Sequence, residues 1–434
     1  MYRIVSRLLI YGDMPEDTIL MELADIVRQM DEGSQNKEEL TTRVYTQIRH
    51  LLQVATDYGF DRNLWHNYLT FLLITSENPF SITCEKVGAN EGSVNDFAKG
   101  DFRAFQELFA YDFSRVEEVL GVDCFRRISN YQAIGKKERM YNKNVSEKVQ
   151  ALSVKLEQAK DENDFFDCVT GFYRDYGVGM FGLNKAFRIT SGSLGRVVFH
   201  PINNMDMVML KDLVGYEIQK KKLIDNTKAF VQGKKANNVL LFGDSGTGKS
   251  TSIKAIVNEF YPQGLRMIEI YKHQFKDLSA VIAQIKNRNY KFIIYMDDLS
   301  FEEFEVEYKF LKAVIEGGVE TRPDNILIYA TSNRRHLIKE NWSDRDDMEH
   351  GGGIHRSDTM EEKLSLVNRF GVTISFSKPS QKEYFHIVKE LADRVGITIE
   401  EKELFAEANK WELSHGGISG RTAQQFINYL LGQM

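Results

Sequence analysis

From residue 16 to residue 170 apolar residues recur with the period of an α-helix, and the stretch contains a single proline, Pro79. DTILMELADIVRQM sets Ile19, Leu20, Leu23, Ile26, Val27 and Met30 on one face at three- and four-residue spacing. LTTRVYTQIRHLLQVATDYGF and NVSEKVQALSVKLEQAKDENDFFDCVTGFYRDYG repeat the pattern. The aromatic-rich stretches NLWHNYLTFLL and DFRAFQELFAYDF predict a packed helical domain over 1–175 rather than a coiled-coil arm. The texture changes between Tyr176 and His200, where Gly and Ser accumulate and a connector over 176–200 is expected. From Pro201 onward short β-rich runs alternate with helical ones. NVLLFG, LRMIEIY, FIIYMDD, ILIYATS and GVTISFS are five candidate strands, each apolar enough to be buried on both faces of a sheet. The alternation predicts an α/β domain with a five-stranded parallel sheet over 201–378. After Pro379 three helical segments predict a small lid over 379–434.

A chain of 434 residues is too long for one typical domain, which agrees with that division. Its 42% hydrophobic and 27% charged residues are those of a globular protein. The formal net charge of -6 gives no whole-chain support for binding a phosphate backbone. The first apolar run is too short for a secretory core, and no later stretch reaches the ~18 to 20 apolar residues of a membrane span. Cys84, Cys124 and Cys168 lack the close spacing of zinc ligands and read as buried thiols in a reducing compartment. A cytoplasmic protein with no membrane span is expected.

VLLFGDSGTGKSTSIKAIV follows a strand and opens a helix, with Gly243, Gly248, Lys249 and Ser250 at G-x-x-x-x-G-K-[ST] spacing. Glycine lets the backbone wrap phosphates with its N–H groups inward, and Asp244, Ser245, Gly246 and Thr247 complete that cradle. The helix N-terminus favours negative charge there. Lys249 is suited to the β- and γ-phosphates of ATP, and the Ser250 hydroxyl to Mg²⁺. Thr251, one residue further on, is placed to face the nucleotide. KFIIYMDDLSFEE ends an apolar strand in Asp297 and Asp298. Asp297 is the candidate metal carboxylate, and Asp298 the candidate for orienting or deprotonating the attacking water.

Together these motifs resemble the AAA+ ATPases, and the resemblance implies further roles. Asn333, at the end of ILIYATS, matches the first sensor, a polar residue at the γ-phosphate or the attacking water. Arg369, in EEKLSLVNRFGVTISF, is similar to the arginine finger of the bacterial replication initiator and its relatives, which reaches a neighbouring subunit's γ-phosphate. Arg421, in GGISGRTAQQFINYL, resembles the second sensor. DLVGYE looks like the segment bordering adenine, with Val214 and Gly215 as the contacting residues. The AAA+ pattern has Glu where this chain has Asp298, one methylene shorter, which implies slow hydrolysis or help from Glu302 or Glu303. NNVLLFGDSGTGKS, DDLSFEE, RPDNILIYATSNRRHL and EEKLSLVNRFG resemble, more specifically, the bacterial AAA+ family known as domain of unknown function 815, over roughly 201–434. That resemblance implies chemistry and architecture but no biological role.

Between Asn333 and Arg369 the insert 334–363 is acidic and carries Gly351, Gly352 and Gly353. His350 and His355 have no companion metal ligands at a set spacing, so the insert reads as a solvated loop at a subunit interface. Lys220 to Lys222 read as a solvated helix face and Arg334 and Arg335 as nucleotide-proximal structure, with nucleic-acid contact as the alternative for both. YKHQFKDL offers Tyr271 and Phe275 where ring-shaped unfoldases carry a pore loop, but without that loop's glycine. The leading expectation is a Mg-dependent ATPase acting as a homo-oligomer, a hexameric ring or spiral, on a protein or nucleic-acid client. The alternative is a nucleotide-gated assembly module with slow hydrolysis. A replication-associated or helicase-loader role rests on fold analogy alone.

Overall fold

The computed structural model describes residues 1–33, 36–134, 143–192, 197–203, 205–301, 307–316, 323–333, 337 and 366–433. It divides into two compact units, Met1–Asn184 and Lys185–Met434.

The first unit is helical: α1 (Tyr2–Val5), α2 (Ile19–Asp31), α3 (Lys37–Tyr58), α4 (Leu64–Thr75), α5 (Pro79–Val87) and α6 (Val94–Phe109). It continues with α7 (Ser114–Leu120), α8 (Cys124–Ser129), α9 (Lys143–Glu157), α10 (Glu162–Tyr176) and α11 (Gly179–Leu183). The helix starts are written in the sequence as short polar residues. The Asn36, Asn63 and Asn78 side chains accept from Glu39, His66 and Ser81 N–H groups, satisfying donors that the first helical turn leaves over. Asp161 accepts from Asn163 and Asp164 N–H and so splits the long periodic run after residue 143 into α9 and α10. Phe80, Phe102, Phe165 and Tyr173 interlock at the centre, with Phe102 5.4 Å from Phe165 and 5.9 Å from Phe80. Cys84 and Cys124 are buried free thiols, and burial pushes each up to about 11.

One buried charge pins the chain before α2. The Asp101 carboxylate on α6 is 1% exposed and accepts the N–H groups of Leu9, Ile10 and Tyr11 at 2.8 to 3.2 Å.

The second unit opens with a hairpin, β1 (Ala186–Ser191) and β2 (Val197–Pro201), and then alternates strand and helix. Its further elements are α12 (Glu217–Val231), β3 (Val239–Gly243), α13 (Lys249–Phe260), β4 (Leu265–Glu269), α14 (Leu278–Ile285), β5 (Lys291–Met296), α15 (Glu307–Glu316), β6 (Ile326–Ser332) and β7 (Val372–Phe376). The strands form one sheet in the order β2-β1-β4-β5-β6-β3-β7. Neighbours run parallel except β1 with β2. The five expected strands are present in the order β4-β5-β6-β3-β7. The sheet nonetheless has seven strands rather than five, because residues 186–201, all but the last expected within a connector, add the hairpin to its edge. The central strands are largely apolar, with every residue of β6 buried, whereas β1 and β2 mix buried and exposed residues beside a Gly/Ser-rich turn. A strand with one wetted face lacks the continuous apolar run that marks a central parallel strand.

The lid is α16 (Gln381–Arg394), α17 (Glu401–Ser414) and α18 (Gly420–Gln433), packed around Tyr384, Val388, Ala408, Phe426 and Ile427. A capping box between Ser380 and Glu383 starts it. Among the described residues no helix is long and apolar enough to cross a membrane.

Asp101→Ala leaves three backbone donors without their acceptor. It is expected to destabilise the helical unit by about 2–3 kcal/mol, read by urea denaturation, with faster amide exchange at Leu9, Ile10 and Tyr11. Unchanged exchange at those amides refutes the role assigned to the carboxylate.

Candidate functional site

The sheet order makes the site. β6 lies between β3 and β5, so the carboxyl ends of these three strands are adjacent. In parallel α/β sheets ligands bind outside those ends. β3 leads into the phosphate loop, β5 into Asp297 and Asp298, and β6 into Asn333.

The loop leaves β3 at Gly243, whose φ of 131° and whose ideal Cβ, 2.2 Å from the Phe376 carbonyl of β7, exclude a side chain. α13 begins after Gly248, with no side chain capping its N-terminal N–H groups, so those donors face the cleft. The Lys249 ammonium is 6% exposed by residue and donates to the Gly243 carbonyl (2.9 Å), the Asp244 carbonyl (2.6 Å) and Asn333 Oδ1 (3.1 Å). Its three donors are thus all engaged. Burial pulls its pKa below the ordinary lysine value, opposed by Asp244, Asp298 and Asp297 and reinforced by Arg421.

Asp297 gathers the hydroxyls. Ser250 Oγ donates to its Oδ1 at 2.7 Å and Thr331 Oγ1 at 2.6 Å, while the Asp298 N–H donates to Thr331 Oγ1 at 2.9 Å. Burial raises the Asp297 pKa, but the donated hydrogen bonds, Thr331 first, outweigh it and hold the carboxyl below its ordinary value. Asp298 has φ 48°, a left-handed conformation uncommon outside glycine, and its Oδ1 accepts from Asn333 Nδ2 at 2.7 Å. A continuous chain of hydrogen bonds therefore runs from Lys249 through Asn333 to Asp298, and through Thr331 to Asp297 and Ser250.

These groups line a cleft of about 970 Å³ together with Ser245, Gly246, Thr247, Gly248, Thr251, Val214, Gly215 and the lid residues Ile387, Leu391 and Arg421. Gly243 and Asp244 lie beneath the loop, where their carbonyls hold Lys249, and Asp244 Oδ2 accepts the Lys378 N–H at 2.8 Å. The lid is tied directly to the loop. The Arg421 N–H donates to the Gly246 carbonyl at 3.1 Å, and a Cβ on Gly246 would meet Ser419 Oγ at 2.9 Å. At the other end of the cleft Val214 packs against the lid core.

Arg369 stands elsewhere. It precedes β7, whose first residue pairs with Val239 at the start of β3, so it sits at the sheet margin away from the phosphate loop and does not line the cleft. Phe275 is 1% exposed and packs on Phe301, while Tyr271 is exposed and stacks on His273. The pair therefore does not form a shared exposed aromatic loop. Lys220 departs from a solvated face: it is 8% exposed, donates to the Leu213 carbonyl and pairs with Glu217. Glu302, Glu303, Arg334, Arg335, His350, Gly351 to Gly353 and His355 lie outside the described residues.

Sequence reading missed Thr331 and Arg394. Thr331 is the polar residue two before Asn333, the first of the Thr331–Ser332 pair that ends an otherwise largely apolar strand, and a buried hydroxyl pair at that strand end was the signal. Arg394 closes α16 and donates to the carbonyls of Asp212 (2.5 Å) and Lys211 (3.2 Å), next to Leu213 and Val214; nothing in its local sequence marks it.

The donor set fits a hard cation. Ser250 and Asp297 offer oxygen ligands on one spot, and such ions are bound by one or two protein oxygens with substrate phosphates and water completing the shell. Among the described residues no cluster of three or more His, Cys, Asp or Glu forms a metal cage.

No curated protein matches the chain. Solved structures similar to it include a mutant RuvB of Thermotoga maritima, 18% identical over 52% of this chain and 65% of that one, with a TM-score of 0.36. PCH-2 of C. elegans is 16% identical over 52% and 65%, with a TM-score of 0.38. The FIGL-1 AAA domain in complex with ADP is 18% identical over 52% and 73%, with a TM-score of 0.36. The chain thus spans less than two thirds of the RuvB and PCH-2 chains. The phosphate loop and the helical lid stand where the sequence motifs predict them, and a family model matches residues 183–434. The chain belongs to that family, the proteins of unknown function termed DUF815.

Proposed function

We propose that this protein is a cytoplasmic, Mg-dependent ATPase that couples ATP binding and hydrolysis to movement of its lid and action on a protein or nucleic-acid client. The observation that carries this reading is the hydrogen-bonded convergence of Lys249, Ser250, Asp297 and Asn333 at three adjacent strand ends under a lid. Uncapped N–H groups of the loop and α13 would hold the phosphates, and Lys249 would exchange its carbonyl partners for phosphate oxygens. Ser250 and Asp297 would hold Mg²⁺, which supplies charge neutralisation at the phosphates. Val214, Gly215 and the lid's Ile387 and Leu391 offer an apolar surface for the base. Asp298 would accept the proton of the attacking water or orient it, with Asn333 fixing the Asp298 carboxylate. Arg421 would bring lid charge to the phosphates.

Arg369 is remote from its own cleft, which supports a role in a neighbour's site and hence an assembled ring or spiral, with six subunits as the expected number. A second reading, a gated assembly switch with slow hydrolysis, is favoured by one observation. Asp298 is shorter than Glu and its carboxylate is already engaged by Asn333. Here ATP would order the protein on a partner and hydrolysis would release it.

Phosphate release and mass by light scattering, on the same samples with Mg-ATP, Mg-ADP or neither, separate the two. The ATPase reading expects turnover with assembly, loss of nucleotide binding in Lys249→Ala, and retained binding with lost turnover in Arg369→Ala. Assembly with turnover below ~0.01 per second, against a typical ~1 to 1000 per second, favours the switch. Lys249→Ala binding nucleotide like the wild type refutes the site itself.

Asp298→Asn preserves size and hydrogen-bonding reach but removes the base. Turnover is expected to fall at least roughly 100-fold, with ATP affinity within about threefold of wild type, measured by single-turnover kinetics and fluorescent-nucleotide titration. An unchanged rate would transfer the water-activating role to another group.

A further inference from the structure

Tyr295 is the one large polar residue of β5 that points into the core on the same face as Asp297, two residues further along. It is fully buried, and its ring belongs to the core beneath α13 with Ile253, Ile256 and Val257. Its strand partner Tyr329 shows how such a residue is ordinarily accommodated. Tyr329 is equally buried, and its hydroxyl bonds Thr227 Oγ1 at 2.8 Å and Asn226 Nδ2 at 3.1 Å. The Tyr295 hydroxyl instead has no hydrogen-bond partner among the described residues. It lies close enough to Ser250, Asp297 and Thr331 for a hydrogen-bond interaction with each to be within reach, yet it forms no hydrogen bond of normal geometry with any of them.

A phenylalanine would fill the same volume without burying an unpaired hydroxyl, an arrangement that disfavours the state in which it occurs. The hydroxyl therefore gains its partner in another state of the site. The neighbours say which: Asp297 Oδ1 is occupied by the hydroxyls of Ser250 and Thr331, and Ser250 is the one of these that the nucleotide-bound cation would recruit. We propose that Tyr295 is a positioning residue for that cation, the reserve O–H donor to the Ser250–Asp297 pair, engaging the carboxylate when the Ser250 hydroxyl is drawn towards the metal. This inference rests on the ATP-binding reading for its metal, but the donor exchange itself does not. Groups that orient a metal-bound carboxylate affect metal affinity without touching the ion.

The test uses the full chain and has two arms. In the first, without nucleotide or metal, thermal midpoints of the α/β unit are compared for wild type, Tyr295→Phe, Ser250→Ala and the double variant. Tyr295→Phe alone is expected to leave the midpoint unchanged or raise it. In the Ser250→Ala background the hydroxyl has become the donor to Asp297, so the same change is expected to lower the midpoint by about 2–4 °C, the shift of one lost hydrogen bond in a unit of this size. Additive effects overturn the proposal and mean that the hydroxyl is only a core filler. In the second arm, Mn²⁺ binding to the ADP complex is titrated by electron paramagnetic resonance. Tyr295→Phe is expected to weaken Mn²⁺ about tenfold, with ADP affinity in EDTA within twofold of wild type. Unchanged Mn²⁺ affinity overturns the positioning role whatever the first arm shows. If the wild type binds neither ADP nor Mn²⁺ while the first arm is non-additive, the ATP-binding reading has failed, and the metal role falls with it.

Discussion

A negative charge must be kept at the tip of a strand buried on both faces, and the hydrogen bonds onto Asp297 keep it there. Burial by itself would drive that carboxyl towards its neutral form. The donors gathered around it, Thr331 first and with Tyr295, Ser250 and the Asp298 backbone beside it, reverse the balance, so the group stays ionised where a cation and phosphates would meet it. Thr331 also takes the Asp298 N–H, which fixes the turn after β5. One hydroxyl on β6 thereby holds the Asp297 carboxylate and the backbone of Asp298, and Asn333, two residues on, links the Asp298 carboxylate to the lysine of the phosphate loop.

This arrangement depends on which strands are neighbours. Were β3 and β5 adjacent, no intervening strand end would stand between the loop and the carboxylates to carry Thr331 and Asn333. The placement of β6 between them supplies both residues, at the same strand end and two positions apart, as the alternation of a strand requires. The positions that match the sequence motifs thus form a single cluster because of the crossover order, with Arg369 set apart at the opposite margin of the sheet.

Much of the cluster was legible in the sequence because phosphate chemistry leaves a local signature. Gly243, Gly248, Lys249 and Ser250 sit within eight residues, and Asp297 ends an unbroken apolar run. The central strands were legible for the same reason. What escaped notice is spread across distance or carried by half-wetted elements. β1 and β2 bury alternate residues and flank a Gly/Ser-rich turn, so their pattern is that of a connector until β4 is there to pair with. Thr331 gained its meaning only beside Asp297, and Arg394 only when the lid brought it to the carbonyls of residues 211 and 212. In the helical unit the same rule holds. The caps at Asn63, Asn78 and Asp161 are local and readable, whereas the grip of Asp101 on residues 9 to 11 joins positions some ninety residues apart.

The bond from the Arg421 amide to the Gly246 carbonyl has a mechanical consequence. It joins the first turn of the last helix to the middle of the phosphate loop, with Ser419 and the Arg421 Cβ set so closely on Gly246 that no side chain fits between. Together with the grip of Arg394 on the segment before Val214, this anchors the lid at both ends of the cleft. A tilt of the three-helix body acts as a lever with its fulcrum at the loop. Torque applied to the outer face of α17 or α18 is delivered to the backbone that would cradle the phosphates, and a change in that cradle swings the outer face in return.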